Sequence, residues 1–353
     1  QPSDIPLLPA PLAAVPAMVD AAKALTKQDL AAASKAIDSA ITLAMTPALA
    51  SGLGFLAIEA GDEVVARKAA LRALQFSGVY PRARTLAARV ALLGGRIDEA
   101  QKAIEGLDPA SADVAVVRAV VAYESLESAD LKSALEALGN SAVGPAFAAL
   151  DAAPGIINGS AFPTPDKRES WAAPEKPWGE LVAIDAALET GNLALADKLL
   201  SKRSVETLRP VHLRRLARLR RLQGKLDEAL RASASAAEGG MALALLVERV
   251  YELLAKEDVA GAKQLAAKYQ ASLGPLSGWV GVLTDVASKQ AASATVRLTK
   301  LDLPPDESPI LVRVLVARAL VGAKDKRATP YLTVLTKKFP KNPDVLAAAT
   351  AGG

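Results

Sequence analysis

A spacing recurs along this chain of 353 residues and restricts its fold more than any single motif. An alanine stands five residues after a polar or glycine turn: Gly61 leads to Ala66, Gly95 to Ala100, Gly191 to Ala196 and Gly224 to Ala229. Weaker copies put the alanine at Ala33, Ala134, Ala262, Ala294 and Ala328. From Ala33 the anchors step 33, 34 and 34 residues to Ala134; after a gap of 62 they step 33, 33, 32 and 34 from Ala196 to Ala328. Such a period holds only if helix and turn lengths stay constant, so each unit is expected to be one helix–turn–helix hairpin. Small residues twelve before several anchors (Ala21, Gly54, Ala88, Ala122 and Ala217) allow the two helices of a hairpin to approach closely. Pro47, Pro81, Pro145, Pro210, Pro275 and Pro340 fall near unit ends, where they are expected to stop the second helix.

Composition points the same way. Apolar residues make up 51% of the chain but aromatics only 4%, so the core must be built from Ala, Leu and Val, which suits close-packed helices rather than strands. The absence of cysteine excludes disulfides, thiolate nucleophiles and Cys-ligated metal sites. With one histidine, His212, multi-His metal sites are excluded too, and no metal or cofactor is expected.

Two segments carry the period most clearly: AARVALLGGRIDEAQKAI, Ala87 to Ile104, and LRRLARLRRLQGKLDEALRASASA, Leu213 to Ala236. With the closing KFPKNPDV, Lys338 to Val345, they resemble tetratricopeptide repeats, although most of the consensus first-helix tryptophan and tyrosine is missing. The resemblance implies an all-α superhelical solenoid of about nine hairpins in two arrays. The expected organisation is an extended Pro-rich tether over 1–17, an N-terminal array over 18–140 and a C-terminal array over 179–353. Between the arrays, 141–178 reads as a Pro/Gly-rich linker or docked loop, with room for one decayed repeat; Trp171 and Trp178 favour docking. Asn158-Gly159-Ser160 fits a glycosylation acceptor or a turn, and we read it as a turn.

No apolar run approaches the roughly 18 residues of a membrane span. The start at Gln1, followed by closely spaced prolines, suits the remainder of a cleaved export signal as well as an arbitrary expression boundary. The expectation is an exported, periplasmic or envelope-associated bacterial protein, with a cytoplasmic one as the alternative.

The acidic pairs Asp62-Glu63, Asp98-Glu99 and Asp227-Glu228 recur where second helices begin, so they are read as complements to the helix dipole rather than as catalytic carboxylates. His212 lacks a nucleophile or metal constellation, no phosphate-binding loop or nucleophile elbow is present, and an enzyme is not expected. The densest positive charge lies between Lys202 and Arg231, and within it Arg214, Arg218 and Arg221, spaced four and three, share one helix face. The resemblance places them on the concave surface, where guanidiniums suit the carboxylates of an acidic partner; the alternative is a basic face balanced by acids of neighbouring units. The same mapping turns Phe55, Tyr123, Trp178, Tyr251 and Trp279 toward that surface, the alternative for each being burial between hairpins. A net charge of +4 without interleaved aromatics argues against nucleic acid. The function expected is a non-catalytic scaffold or adaptor holding a peptide segment or partner protein in its concave groove. A carrier enclosing an apolar ligand such as a lipid needs a closed pocket of roughly 300–1,000 Å³ instead, and an enzyme accessory domain is a third reading.

Overall fold

A computed structural model describes residues 9–139, 149–163, 177–202 and 208–352. These residues are mostly helical, without a strand among them, and the helices follow one another as hairpins. The first are α1 (Pro9–Thr26) with α2 (Leu30–Leu43), α3 (Pro47–Glu59) with α4 (Glu63–Phe76), α5 (Pro81–Leu93) with α6 (Ile97–Ile104), and α7 (Ala112–Glu124) followed by α8 (Ser128–Leu138). A short α9 (Ala153–Asn158) precedes α10 (Pro177–Glu189) and α11 (Leu193–Leu200), then α12 (Pro210–Leu222) with α13 (Leu226–Ala236). Next come α14 (Leu243–Ala255) with α15 (Val259–Lys268), a single turn α16 (Gln270–Leu273), and α17 (Leu276–Ala287) with α18 (Ala291–Leu298). The series closes with α19 (Ile310–Gly322), α20 (Ala328–Lys338) and α21 (Pro343–Gly352). Within hairpins α1 packs on α2, α3 on α4 and α12 on α13, while first helices also stack on the next first helix, as α3 does on α5 and α17 on α19. This is the sequential packing of an all-α solenoid.

The turns explain the period. In nine hairpins one residue between the helices has positive φ: Gln28, Gly61, Gly95, Leu126, Gly191, Gly224, Glu257, Lys289 and Lys324. At Gly61 the amide reaches Ile58 O at 3.0 Å, and the next amide, Asp62, reaches back to Ala57 O at 3.0 Å. The left-handed residue thereby satisfies two otherwise open carbonyls at the end of the first helix. Asp62 then caps the second helix by accepting from Val65 N at 3.0 Å; Asp29, Asn192 and Asp258 do the same for α2, α11 and α15. Where the sequence carries no glycine, as at Lys289, the same backbone is adopted under strain, which is why those copies read as weak.

The anchor alanine is the fourth residue of the second helix in α2, α4, α6, α11, α13, α15 and α18, and in each of these it is fully buried. Two weaker copies are out of register. The fourth residue of α8 is the buried Leu131, with Ala134 a turn later, and Ala328 opens α20 while Leu332 and Leu335 take the buried places. Gly54 has the close approach expected of it: a Cβ there would overlap Leu86 Cδ2 of α5.

Several boundaries differ from the sequence reading. Residues 9–17 belong to α1 rather than to an extended tether, because Pro9 and Pro11 fall in the first turn, where backbone amides have no helical acceptor anyway. Pro47, Pro81 and Pro210 open first helices instead of merely ending second ones. Pro145 and Trp171 lie outside the described residues. Within the presumed linker, α9 buries Ala153, Ile156 and Ile157, and Trp178 already belongs to α10. Gly159 is left-handed and Ser160 N donates to Asn158 Oδ1 at 2.9 Å, the turn expected there.

The described residues fall into two compact units: 9–121 with 133–139 and Pro177, and 122–132 with 149–163, 178–202 and 208–352. The division therefore runs through α7 and α8 rather than at 140. The core of the second unit includes Val247, Tyr251, Trp279, Leu315 and Phe339. Among the described residues no helix is long and apolar enough to cross a membrane.

Candidate functional site

The arginines of α12 are the most unusual feature of the second unit, because they point inward. Arg214, Arg215, Arg218 and Arg221 are all buried, and Arg215 is fully so. Such burial is tolerable only when each guanidinium meets carboxylates and little donor capacity is left over.

Two clusters meet the first half of that requirement, while Arg215 Nε and Arg318 Nε stay buried without a hydrogen-bond partner among the described residues. In the first, Arg215 Nη2 donates to Glu124 Oε1 at 2.8 Å and to Asp185 Oδ2 at 2.6 Å, and its Nη1 to the Val211 carbonyl at 2.8 Å. Arg214 Nε donates to Glu124 Oε2 at 2.9 Å. The Tyr123 hydroxyl completes the cluster by donating to Asp185 Oδ2 at 2.5 Å. In the second, Arg218 Nη1 donates to Glu189 Oε1 at 2.5 Å and its Nη2 to Asp344 Oδ2 at 3.1 Å. Arg221 grips Glu248 through both oxygens and Asp344 Oδ1 at 2.8 Å, while Arg318 Nη2 donates to the same Oδ1 at 3.0 Å. Tyr251 lies beneath both cations, 5.2 Å from Arg221 and 4.4 Å from Arg318, measured from ring centroid to guanidinium carbon. Five guanidiniums thus face five carboxylates.

The electrostatics follow from burial and pairing in opposition. Burial alone would raise the Asp344 pKa, but Arg221, Arg218 and Arg318 outweigh it and hold the carboxyl well below its usual range. Asp185 is likewise lowered, burial being overcome by Arg215 and Arg214. Burial would lower Arg215, Arg218 and Arg221, yet their carboxylates raise all three, so these three guanidiniums keep their charge in the core.

The expected open row of arginines for a partner's acids is therefore corrected. Arg214, Arg218 and Arg221 share a face, but acids of the same unit already occupy it. Those acids come from α7, α10, α14 and α21, as the alternative reading supposed, except that the pairs are buried rather than solvated. The aromatics divide similarly. Tyr123, Trp178, Tyr251 and Trp279 are buried and line no open groove, because each fills space that the small Ala and Val side chains leave. Phe55 of α3, in the first unit, is only half-buried, and the guanidiniums of Arg82 and Arg89 each stand 5.4 Å from its ring centroid. His212 is buried with Nε2 3.5 Å from Glu180 Oε2, a pair internal to the fold. The acidic pairs lie in the first turns or at the cap of α4, α6 and α13, as expected.

Glu124, Asp185, Glu189, Glu248, Asp344, Arg215 and Arg318 were not singled out from the sequence. A signal existed: LVAIDAALE and LALLVERVYELLA each set two acids, Asp185 with Glu189 and Glu248 with Glu252, in largely apolar helices, and an acid buried in such a run needs a cation or a proton. Beside the two clusters lies a pocket of about 20 Å³, lined by Tyr123, Asp185, Arg214 and Arg218 together with Leu126 and Ile156, enough for about one water and far too small for an acyl chain.

No protein-family model and no curated protein matches the chain.

Proposed function

We propose that this chain is a non-catalytic interaction scaffold of the tetratricopeptide class that holds an acidic peptide segment or partner protein on the first-helix face of its N-terminal unit. Phe55 carries the reading. It is half-buried on α3 and flanked by Arg82 and Arg89 of α5, an aromatic–arginine group of the kind that anchors interfaces. Arg89 already holds Asp113 at 2.7 Å, whereas Arg82 is exposed and forms no ion pair among the described residues. The contrast with α12 of the second unit supports the choice: there Arg214, Arg215, Arg218 and Arg221 are neutralised internally, and here Arg82 stays available for an incoming carboxylate. An exported, envelope-associated setting belongs to the same proposal, and cell fractionation tests it.

The experiment compares proteins captured from the native cell by wild type, Phe55→Ala and Arg82→Glu, with helix content monitored. Both substitutions lie at the surface and should leave folding intact. The captured partner should bind at least about tenfold more weakly to each variant and more weakly in added salt. An unchanged partner set and affinity in both folded variants would overturn the reading.

A further inference from the structure

The row formed by Arg218, Arg221 and Arg318 is occupied, and its occupant is a short stretch of the same chain. Asp344 brings both oxygens, Oδ2 to Arg218 at 3.1 Å and Oδ1 to Arg221 at 2.8 Å and Arg318 at 3.0 Å. Two residues earlier, the Asn342 side-chain amide donates to Glu189 Oε2 at 2.5 Å and to the Glu189 carbonyl at 3.2 Å. The carbonyl of Lys341 comes so near Gly191 that a Cβ there would stand 2.5 Å from it. Val345, next in line, is fully buried.

One contiguous stretch, residues 341–345, therefore supplies a backbone oxygen against glycine, an amide, a carboxylate and one apolar anchor. Beyond it, α21 buries little more than Ala348, and Leu346 is 45% exposed. A few side-chain anchors in a continuous segment is how a linear peptide is read by a groove. The holding residues come from separate elements, Glu189 on α10, Arg218 and Arg221 on α12, and Arg318 on α19, so the site is built by the fold around the segment.

We propose that Arg218, Arg221 and Arg318 form a peptide-carboxylate site, that residues 341–345 fill it as an internal occupant, and that α21 exchanges with an acidic segment of a partner presenting Asn and Asp two residues apart. Emptying the site outright leaves one guanidinium charge without its counter-ion in a buried place, which is costly. Without another carboxylate the released form is therefore a minor, transiently opened population, and an entering carboxylate stabilises it. The tether gives the internal copy an effective concentration in the millimolar range, so weak acids do not compete and a matching segment does.

The test uses the full chain and the synthetic peptide KNPDVLAAATAGG, a copy of residues 341–353. In wild type, amides of residues 346–351 should exchange with solvent at least about tenfold faster than those of α19, by local opening. Asp344→Lys repels the internal copy, so that full chain should bind the peptide at least about tenfold more tightly than wild type does. The same peptide with Asn at the Asp344 position should lose at least about tenfold in affinity. If α21 exchanges as slowly as α19, or if folded Asp344→Lys does not distinguish the two peptides, the proposal fails. Should Asp344→Lys not fold, Asp344→Ala takes its place. Formate should then raise its melting midpoint more than chloride of equal ionic strength, and equal effects of the two salts would also overturn the proposal.

Discussion

Glu248 and Glu252 lie one turn apart on the buried face of α14, and among the described residues Glu248 is ion-paired, with Arg221, and Glu252 is not. Glu252 accepts from the Ser233 hydroxyl through Oε2, and its Oε1 is buried without a partner. Burial, then the neighbouring Glu248, push its pKa up to about 8, against the lowering effects of Ser233, Arg221 and Arg249.

The folded protein therefore holds this proton at pH values where the unfolded chain has released it. Stability from this group is fully present below the ordinary value of 4.5 and is lost as pH rises toward 8. Glu252→Gln should flatten that decline and gain on the order of 1–3 kcal/mol above pH 8 relative to pH 5. Urea midpoints at the two pH values check it; parallel declines in both proteins would count against the protonated carboxyl.

Arg215 is the most deeply placed of the network cations. Arg215→Ala leaves Glu124 and Asp185 with Arg214 as their one shared cation among the described residues and should cost about 3–5 kcal/mol in urea denaturation. Changing Arg214, Arg218 and Arg221 together to Glu sets carboxylates against Glu124, Glu189, Glu248 and Asp344, and circular dichroism should show a large loss of helix. A loss of partner binding in that triple variant reports folding, which is why the surface residues Phe55 and Arg82 are the cleaner probes.

Gly54 and Leu86 form a size-matched contact in the first unit. Gly54→Ala alone should destabilise by about 1–3 kcal/mol through overpacking. Combined with Leu86→Ala it should cost less than the sum of the two, by about 0.5 kcal/mol or more. Strict additivity in thermal melts would show that the helices do not approach closely there.

The turn strain is measurable at an exposed site. Lys289 has φ of 60° and its side chain is exposed, so Lys289→Gly should stabilise by about 1 kcal/mol. At Gly224, with φ of 76° and open space around it, Gly224→Ala should cost about as much. Effects of the same sign at the two positions would contradict the shared turn geometry.

Much of the fold was legible because it is local. A left-handed residue, a cap and a small anchor three positions into the next helix fall within one short window, so Gly61 through Ala66 reads as a turn in any tertiary setting. The copies at Ala134 and Ala328 misled because alanine also fits other positions of a helix, buried at Ala134 and half-buried at Ala328, while the residues that set the register, Leu126 and Lys324, carry no glycine to announce it. The helical start at Pro9 was obscured by the same proline-rich composition that suits an extended segment.

By itself, then, the sequence determined the helical hairpins, their period, and the shared face of Arg214, Arg218 and Arg221, all properties of backbone geometry within a few residues. Only the tertiary structure decided what that face meets. Arg221 and Asp344 are separated by 123 residues and are joined because stacked hairpins bring α12 and α21 together, which no local pattern encodes. Phe55, Tyr251 and Trp279 looked alike as first-helix aromatics, yet one stands half-open between two arginines and two are sealed in the core. That difference is one of desolvation by neighbouring helices, and it appears only once those neighbours are in place.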